Sequence, residues 1–255
     1  MNKFLLFALT GTLAVQVANA QEFKTKIGGK DRKVVLEMQG SDITVEGIGG
    51  DELVIRGNGF EEAPKRAEGL RPIYNSAVDN TKIGLSVTQT DNTVRIVRAS
   101  RRDASYVIQV PKGVSVQYNQ TNWNGGDLTV RDVAGDLELN VKNGDIKLTN
   151  VTGPVVANTV SGDIQVRFAP MRQGPSSIST VSGDVDVSMP SNTKSTLHLR
   201  SVSGEVYTDF DLTMGSKGDN MQHIGGQVVD GTINGGGNSV SLKTVSGDIF
   251  VRKAK

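Results

Sequence analysis

The chain has 255 residues, no cysteine, and 28 basic against 27 acidic residues, which gives a formal net charge of +1 at pH 7. A chain without cysteine forms no disulfide, carries no thiol nucleophile and cannot bind zinc through thiolates. The near-neutral charge argues against a nucleic-acid partner, because such binding usually needs a basic excess. With 30 glycines and 5% aromatic residues, the composition is typical of short strands joined by tight turns.

Residues 1–20 have the pattern of a secretory signal peptide. Lys3 supplies a positive start, residues 4–17 are mostly apolar, and Ala18-Asn19-Ala20 is an A-x-A cleavage site. The apolar run is too short for a stable membrane-spanning helix. We therefore expect a mature chain that starts at Gln21, has no transmembrane segment and is exported to the periplasm or the cell surface. A retained N-terminal anchor is the alternative.

Residues 21–120 predict a β section of irregular spacing. Alternating apolar and polar residues indicate half-buried strands, because successive side chains point to opposite faces of a strand. The stretch 60–81 is the least strand-like and is expected to be an insertion loop or a short helix that covers one end or side of the fold. The predicted strands are 33–38, 42–47, 51–56, 83–87, 93–97, 106–110 and 114–118.

Residues 121–255 repeat one short phrase. The pattern T/S-V-S-G-D/E-I/V starts at Thr159, Thr180, Ser201 and Thr244. Before these copies, glycine recurs every nine residues, at positions 126, 135, 144, 153 and 162. A fixed period near 20 residues with strand-like content is typical of a solenoid, in which each repeat stacks on its neighbours.

The repeat predicts the fold class. In residues 163–168 every second side chain is apolar, so each half of a repeat is expected to be one short strand. Glycine at the turn supplies positive φ, and the aspartate after it is expected to bind backbone N–H groups of the corner. We predict an all-β, single-chain β-solenoid or β-helix-like stack, with two short strands in each rung of about 18–21 residues. The less regular section 21–120 is expected to be continuous with the regular repeats of 121–255.

The V-S-G-D-I/V rungs after a secretion signal resemble the bacterial DUF4097 family of presumed adhesins, which is related to the head-domain adhesins called DUF2807. Within that family, the N-terminal half is similar to exported members of the Bacteroidetes type. The resemblance covers most of residues 30–252 and implies a β-solenoid, with no catalytic motif and no functional residue to carry over. Further matching segments are 45–47, 66–70, 79–81 and 104–114.

The resemblance and the predicted shape favour a non-enzymatic, exported binding or adhesion protein of the bacterial cell envelope. No cofactor is expected, and the partner would be a glycan or another envelope protein. One alternative is a periplasmic scaffold or a partner in envelope-stress signalling. The other is a carbohydrate-active enzyme built on a β-helix scaffold.

Charged residues of the repeats form most of the candidate ligand face. Asp163, Asp184 and Glu205 follow the repeated glycines and are expected to stack as an acidic ladder along one edge. Arg167 and Arg200 are expected on the solvent side of their strands, where they could pair with the ladder. A ladder of this kind could serve catalysis or hold a cation, but it is also what corner-capping aspartates would produce.

Trp123 is the last member of the candidate ligand face. Together with Tyr118 it could offer a stacking surface to a sugar ring, or it could pack between the two sections of the solenoid. The histidines, His198 and His223, are expected to be plain surface residues, because no other motif for nucleophilic catalysis accompanies them.

Overall fold

The computed structural model describes residues 21–60, 64–70, 73, 77–102, 104–214 and 227–254. The predicted signal peptide (1–20) and His223 lie outside these described residues. Within them, the helical content is too short and too polar to cross a membrane.

The described residues form short strands and one 3₁₀ turn, Lys65–Ala67, which is the helical element found in the predicted insertion 60–81. The strands are β1 (Gln21–Lys26), β2 (Lys33–Met38), β3 (Ile43–Ile48), β4 (Glu52–Asn58), β5 (Leu85–Thr90), β6 (Thr93–Arg98), β7 (Ser105–Pro111), β8 (Ser115–Gln120), β9 (Leu128–Arg131), β10 (Leu137–Asn140), β11 (Ile146–Val151), β12 (Val155–Ser161), β13 (Ile164–Phe168), β14 (Ser176–Ser182), β15 (Val185–Met189), β16 (Ser195–Ser203), β17 (Val206–Thr208), β18 (Thr213–Met214), β19 (Gln227–Ile233), β20 (Asn238–Ser246) and β21 (Ile249–Lys253).

The strands build two long sheets. Sheet A has the order β1-β4-β7-β3-β9-β11-β13-β15-β21-β17, and sheet B has the order β18-β19-β16-β20-β14-β12-β10-β8-β2-β6-β5. One strand of sheet B and the next strand of sheet A in the sequence make one rung, and successive rungs pair in parallel. This arrangement confirms the predicted all-β, solenoid-like stack with two strands in each rung.

The inner faces of both sheets share one apolar core. In β13, Ile164, Val166 and Phe168 are buried, whereas Gln165 and Arg167 between them are exposed. The same alternation in the other rungs produces a single buried cluster that runs from Ile27 to Val251. Because one rung cannot bury its apolar face alone, each rung depends on its neighbours for stability.

The spatial order of the rungs differs from their order in the sequence. The C-terminal rung β20/β21 lies between β14/β15 and β16/β17, since Ile249 pairs with Val185 on one side and with Val206 on the other. At the opposite end, β2/β3 lies between β6/β7 and β8/β9. The first and the last rung of the chain are therefore both internal to the stack.

Antiparallel strands cover the outer rungs. At one end β4 and β1 extend sheet A and β5 extends sheet B. At the other end β19 and β18 extend sheet B, whereas sheet A ends at the three-residue strand β17. Covering an outer rung in this way limits unwanted pairing at open strand edges.

Candidate functional site

The acidic residues that precede the strands of sheet A form a ladder along the corner where sheet B passes into sheet A. At each step, a backbone N–H donates to Oδ1 of the aspartate in the neighbouring rung, at 2.8 to 3.0 Å. Hydrogen bonds to a charged acceptor are among the stronger ones, so the carboxylates hold successive rungs together. In spatial order the ladder contains Asp42, Asp127, Asp145, Asp163, Asp184, Asp248 and Glu205.

A glycine precedes every ladder residue except Asp42 and allows the rungs to approach closely. A Cβ on Gly183 would lie 2.1 Å from the carbonyl oxygen of Gly162, and the φ angle of Gly183 is +146°. No other residue fits that space or favours that backbone conformation. The S-G-D phrase is therefore explained by the stacking of the corners.

Other positions of the repeated phrase are also explained by stacking. The buried Thr180 hydroxyl donates to the carbonyl of Gly162 at 3.0 Å, and Thr244 donates to Gly183 at 2.9 Å.

The valine of the phrase instead points outward. Four such valines form an apolar stripe on sheet B and are 40–48% exposed: Val160, Val181, Val245 and Val202.

The acidic part of the predicted ligand face is only partly contiguous. Asp163 and Asp184 are neighbours in the ladder, since the Asp184 N–H donates to Asp163 Oδ1 at 2.8 Å. Glu205 does not follow Asp184, because the C-terminal rung places Asp248 between them. Each of these aspartates uses one carboxylate oxygen to hold the next rung. This geometry favours a corner role for them over catalysis or cation binding, and the described residues contain no cluster of three or more His, Asp or Glu side chains suited to a metal.

The remaining predicted residues lie on different surfaces. Arg167 is on the outer face of sheet A, whereas Arg200 is on the outer face of sheet B, beside Lys243. Trp123 lies in the loop between β8 and β9, is 61% exposed, and has the Lys142 Nζ 5.9 Å from its ring centre. The two arginines and the tryptophan therefore do not form one face with each other.

An aromatic pair that is absent from the predicted ligand face lies on the outer face of sheet A, close to its end. The rings of Tyr207 and Phe250 stack with their centres 5.2 Å apart and their planes 11° apart. The Arg252 guanidinium lies 4.8 Å from the centre of the Phe250 ring, and its Nε donates to Asp186 at 3.0 Å. One feature of the sequence does indicate this pair. Both aromatic residues stand two positions after the acidic residue of the repeated phrase, so rungs that stack in register place them side by side.

Two adjoining depressions surround the aromatic pair. The first has a volume of about 480 Å³ and is lined by Tyr207, Phe250, Arg252 and Arg167, among others. The second, of about 360 Å³, shares Phe250 and extends along the ladder past Asp163 and other acidic residues. Sheet A thus carries an aromatic and basic surface next to an acidic edge.

Arginines near the other end of the stack have internal partners. Arg98 is 2% exposed, donates from Nε to the carbonyl of Ser100 at 2.7 Å and lies 5.2 Å from the centre of the Tyr106 ring. Arg95 makes a two-pronged ion pair with Glu37 at 2.9 and 2.7 Å. Burial raises the pKa of Tyr106 to about 12, and the Tyr106 hydroxyl donates to the Ile83 carbonyl at 2.7 Å. These contacts indicate a structural role for this region.

The family described as Toastrack DUF4097 matches residues 30–252. No curated protein matches the chain. Among solved structures, a presumed cell adhesion protein from Clostridium sporogenes is 11% identical, with a TM-score of 0.51, and covers 92% of this chain and 100% of its own length. A presumed adhesin from Bacteroides fragilis is 14% identical, with a TM-score of 0.36, and covers 91% of this chain and 96% of its own length. The first similarity shows a common fold.

Proposed function

We propose that this chain, which belongs to the Toastrack DUF4097 family, is an exported, non-enzymatic binding protein of the bacterial cell envelope. The partner would be a glycan or another envelope protein. The observation that carries the proposal is the outer face of sheet A, where a stacked aromatic pair, the exposed Tyr207 and the half-buried Phe250, lies beside Arg252 and Arg167. Exposed aromatic and arginine side chains are the residue types that most often supply binding energy at recognition surfaces.

The rigidity of the stack supports a binding role. Continuous ladders of backbone and carboxylate hydrogen bonds fix the rungs that carry the exposed side chains. A surface held in place before binding loses little conformational entropy on contact with its partner. The adhesion role presumed for the Clostridium sporogenes protein of similar fold agrees with this proposal.

Export is the second part of the proposal, and the signal-like sequence of residues 1–20 supports it. Protease treatment of intact cells, followed by an antibody to the mature chain, tests the location. Loss of the chain from intact cells would support direct adhesion at the surface. Protection until the outer membrane is opened would support the periplasmic alternative, a scaffold or signalling partner. A chain found in the cytoplasm would contradict export.

Capture of envelope material tests the binding role directly. Immobilised mature chain is incubated with solubilised envelope glycans and proteins, and the retained material is compared with that of a Tyr207→Ala variant. Arg200→Gln, on the outer face of sheet B, is the matched control. We expect Tyr207→Ala to lower retention and Arg200→Gln to leave it unchanged. Equal retention by all three chains would contradict the proposed binding face.

A further inference from the structure

Among the described residues, Tyr207 is the more exposed member of the aromatic pair. Phe250 and Tyr207 are register partners in β21 and β17, so their rings stack along the direction in which the rungs follow one another. Phe250 covers one face of the Tyr207 ring, yet Tyr207 is still 49% exposed, and sheet A ends at its strand. The apolar C–H face of a pyranose ring is flat enough to continue such a stack on an aromatic surface.

Two arginines next to the pair can bind an anion. The Arg252 Nε–H donates a hydrogen bond to the Asp186 carboxylate. The terminal N–H groups of the Arg252 guanidinium have no hydrogen-bond partner among the described residues. Arg167 is exposed and makes no ion pair with any residue that the structure describes. Ser188 lies between the two arginines in the register of the sheet. A guanidinium binds a carboxylate through two parallel hydrogen bonds.

The spacing of these groups sets the length of the ligand. Adjacent strands of a sheet are about 4.8 Å apart and successive residues of a strand about 3.3 Å apart. Arg167 is three strands from Tyr207 and two residues further along the strand direction, so the two residues lie about 16 Å apart. A pyranose ring is about as long as one strand spacing. A ligand that reaches both side chains would therefore contain about three rings laid along the stack.

The acidic ladder limits the charge of the ligand. Asp163 and Asp184 line the adjoining depression, within the same face as Phe250. Like charges at close range repel, so a polyanion that presents charges to this edge as well as to the arginines would meet it unfavourably. An oligosaccharide with carboxylates on one side can turn them toward the arginines and away from the ladder.

We propose that the surface formed by Tyr207, Phe250, Arg252 and Arg167 binds an acidic oligosaccharide of about three pyranose rings that carry carboxylates. A sugar ring stacks on Tyr207, and carboxylates accept hydrogen bonds from Arg252 and Arg167. This inference rests on the proposed binding function and names its ligand class.

Isothermal titration with defined trisaccharides tests the inference. The probes are trigalacturonic acid, triglucuronic acid and the carboxyl-reduced form of each, which has the same rings without charge. A short single-stranded oligonucleotide represents the competing polyanion. The proteins are the wild type, Tyr207→Ala, Arg167→Gln and the control Arg200→Gln, each checked for an unchanged melting temperature.

We expect at least one acidic trisaccharide to bind about a hundredfold more tightly than its carboxyl-reduced form, about tenfold for each of the two charge-assisted contacts. Arg167→Gln should lower this preference to about tenfold, Tyr207→Ala should weaken the binding of both forms, and Arg200→Gln should change neither.

Absence of binding by both acidic probes, equal affinity for the reduced forms, or tighter binding of the oligonucleotide would overturn the inference. If Tyr207→Ala still lowered retention of envelope material in that case, the proposed function would stand with a different ligand. If Tyr207→Ala changed neither measurement, both proposals would fail.

Discussion

Replacing Gly183 by alanine tests whether the repeated glycine is required by the contact between rungs. The added Cβ would lie 2.1 Å from the carbonyl oxygen of Gly162, which is far inside van der Waals contact. To relieve the overlap, the two corners must move apart. That movement weakens the 3.0 Å bond from the Thr180 hydroxyl to the Gly162 carbonyl, the 3.0 Å bond from the Gly162 N–H to the Ser182 carbonyl, and the 2.8 Å bond from the Asp184 N–H to Asp163 Oδ1.

The expected cost follows from these contacts. Losing two or three hydrogen bonds costs about 2–3 kcal/mol, and holding alanine at a φ of +146° adds about 1–2 kcal/mol of backbone strain. We therefore expect Gly183→Ala to lower the free energy of unfolding by about 3–5 kcal/mol.

Urea denaturation followed by far-UV circular dichroism measures this difference, with Gly113→Ala as the matched control. A Cβ added to Gly113 would meet no atom within 4 Å, and Gly113 has no positive φ, so its replacement should change stability by less than about 0.5 kcal/mol. If Gly183→Ala were as mild as Gly113→Ala, the close approach of the corners would not be the reason for the glycine.

Three further predictions concern the ladder, a buried tyrosine and the order of the rungs. Asp184→Ala should lower the free energy of unfolding by about 1–2 kcal/mol because the Asp248 N–H loses its acceptor. Asp184→Asn should cost less, because it keeps a neutral acceptor in place of the charged one. Equal losses in thermal unfolding would contradict this, because they would mean that the neutral acceptor contributes nothing. The raised pKa of Tyr106, about 12, means that ionisation favours the unfolded chain. The difference in free energy of unfolding between the wild type and Tyr106→Phe should therefore be constant below about pH 10 and should shift against the wild type as the pH rises toward 12. Melting temperatures of the two proteins that differ by a constant amount up to pH 11.5 would contradict this. Deleting residues 238–254 removes an internal rung, so amides of 176–189 and 195–208 should exchange rapidly; unchanged protection would indicate stacking in sequence order.

The local structure could be predicted from the sequence because each rung repeats the same physical requirements. Alternation indicated which side chains of residues 163–168 are buried, and the S-G-D phrase indicated the corners. The backbone N–H group that donates to each ladder carboxylate was predicted less accurately. Asp163 does not bind the N–H groups of its own corner but the N–H of Asp184 in the next rung. That bond exists only once rungs have stacked, so a single repeat does not reveal it.

The order of the rungs could not be predicted, because two copies of the phrase compete for the same neighbour. The copies that start at Ser201 and Thr244 both match the edge of β14/β15, and the local sequence does not distinguish them. The structure places β20/β21 there, and β19 covers the far side of β16. This choice creates the proposed binding surface, because Tyr207 stacks on Phe250 only when β17 pairs with β21.

The predicted ligand face combined residues from separate surfaces for the same reason. Arg167 and Arg200 both alternate outward along their strands, but the strands belong to different sheets. Alternation with a period of two indicates which side chains point away from the core. It does not indicate whether a strand belongs to sheet A or to sheet B, and so on which outer face its side chains lie. Only the assignment of each strand to a sheet separates them.

Hydrogen exchange on the mature chain, with and without the envelope material that it retains, tests whether recognition lies on the outer face of sheet A. We expect added protection in peptides that cover Val185–Met189, Val206–Thr208 and Ile249–Lys253 of sheet A. We expect no added protection in Ser195–Ser203 or in Asn238–Ser246 of sheet B. Protection confined to the sheet B strands would contradict the proposed binding face, because it would place recognition on the opposite face of the stack.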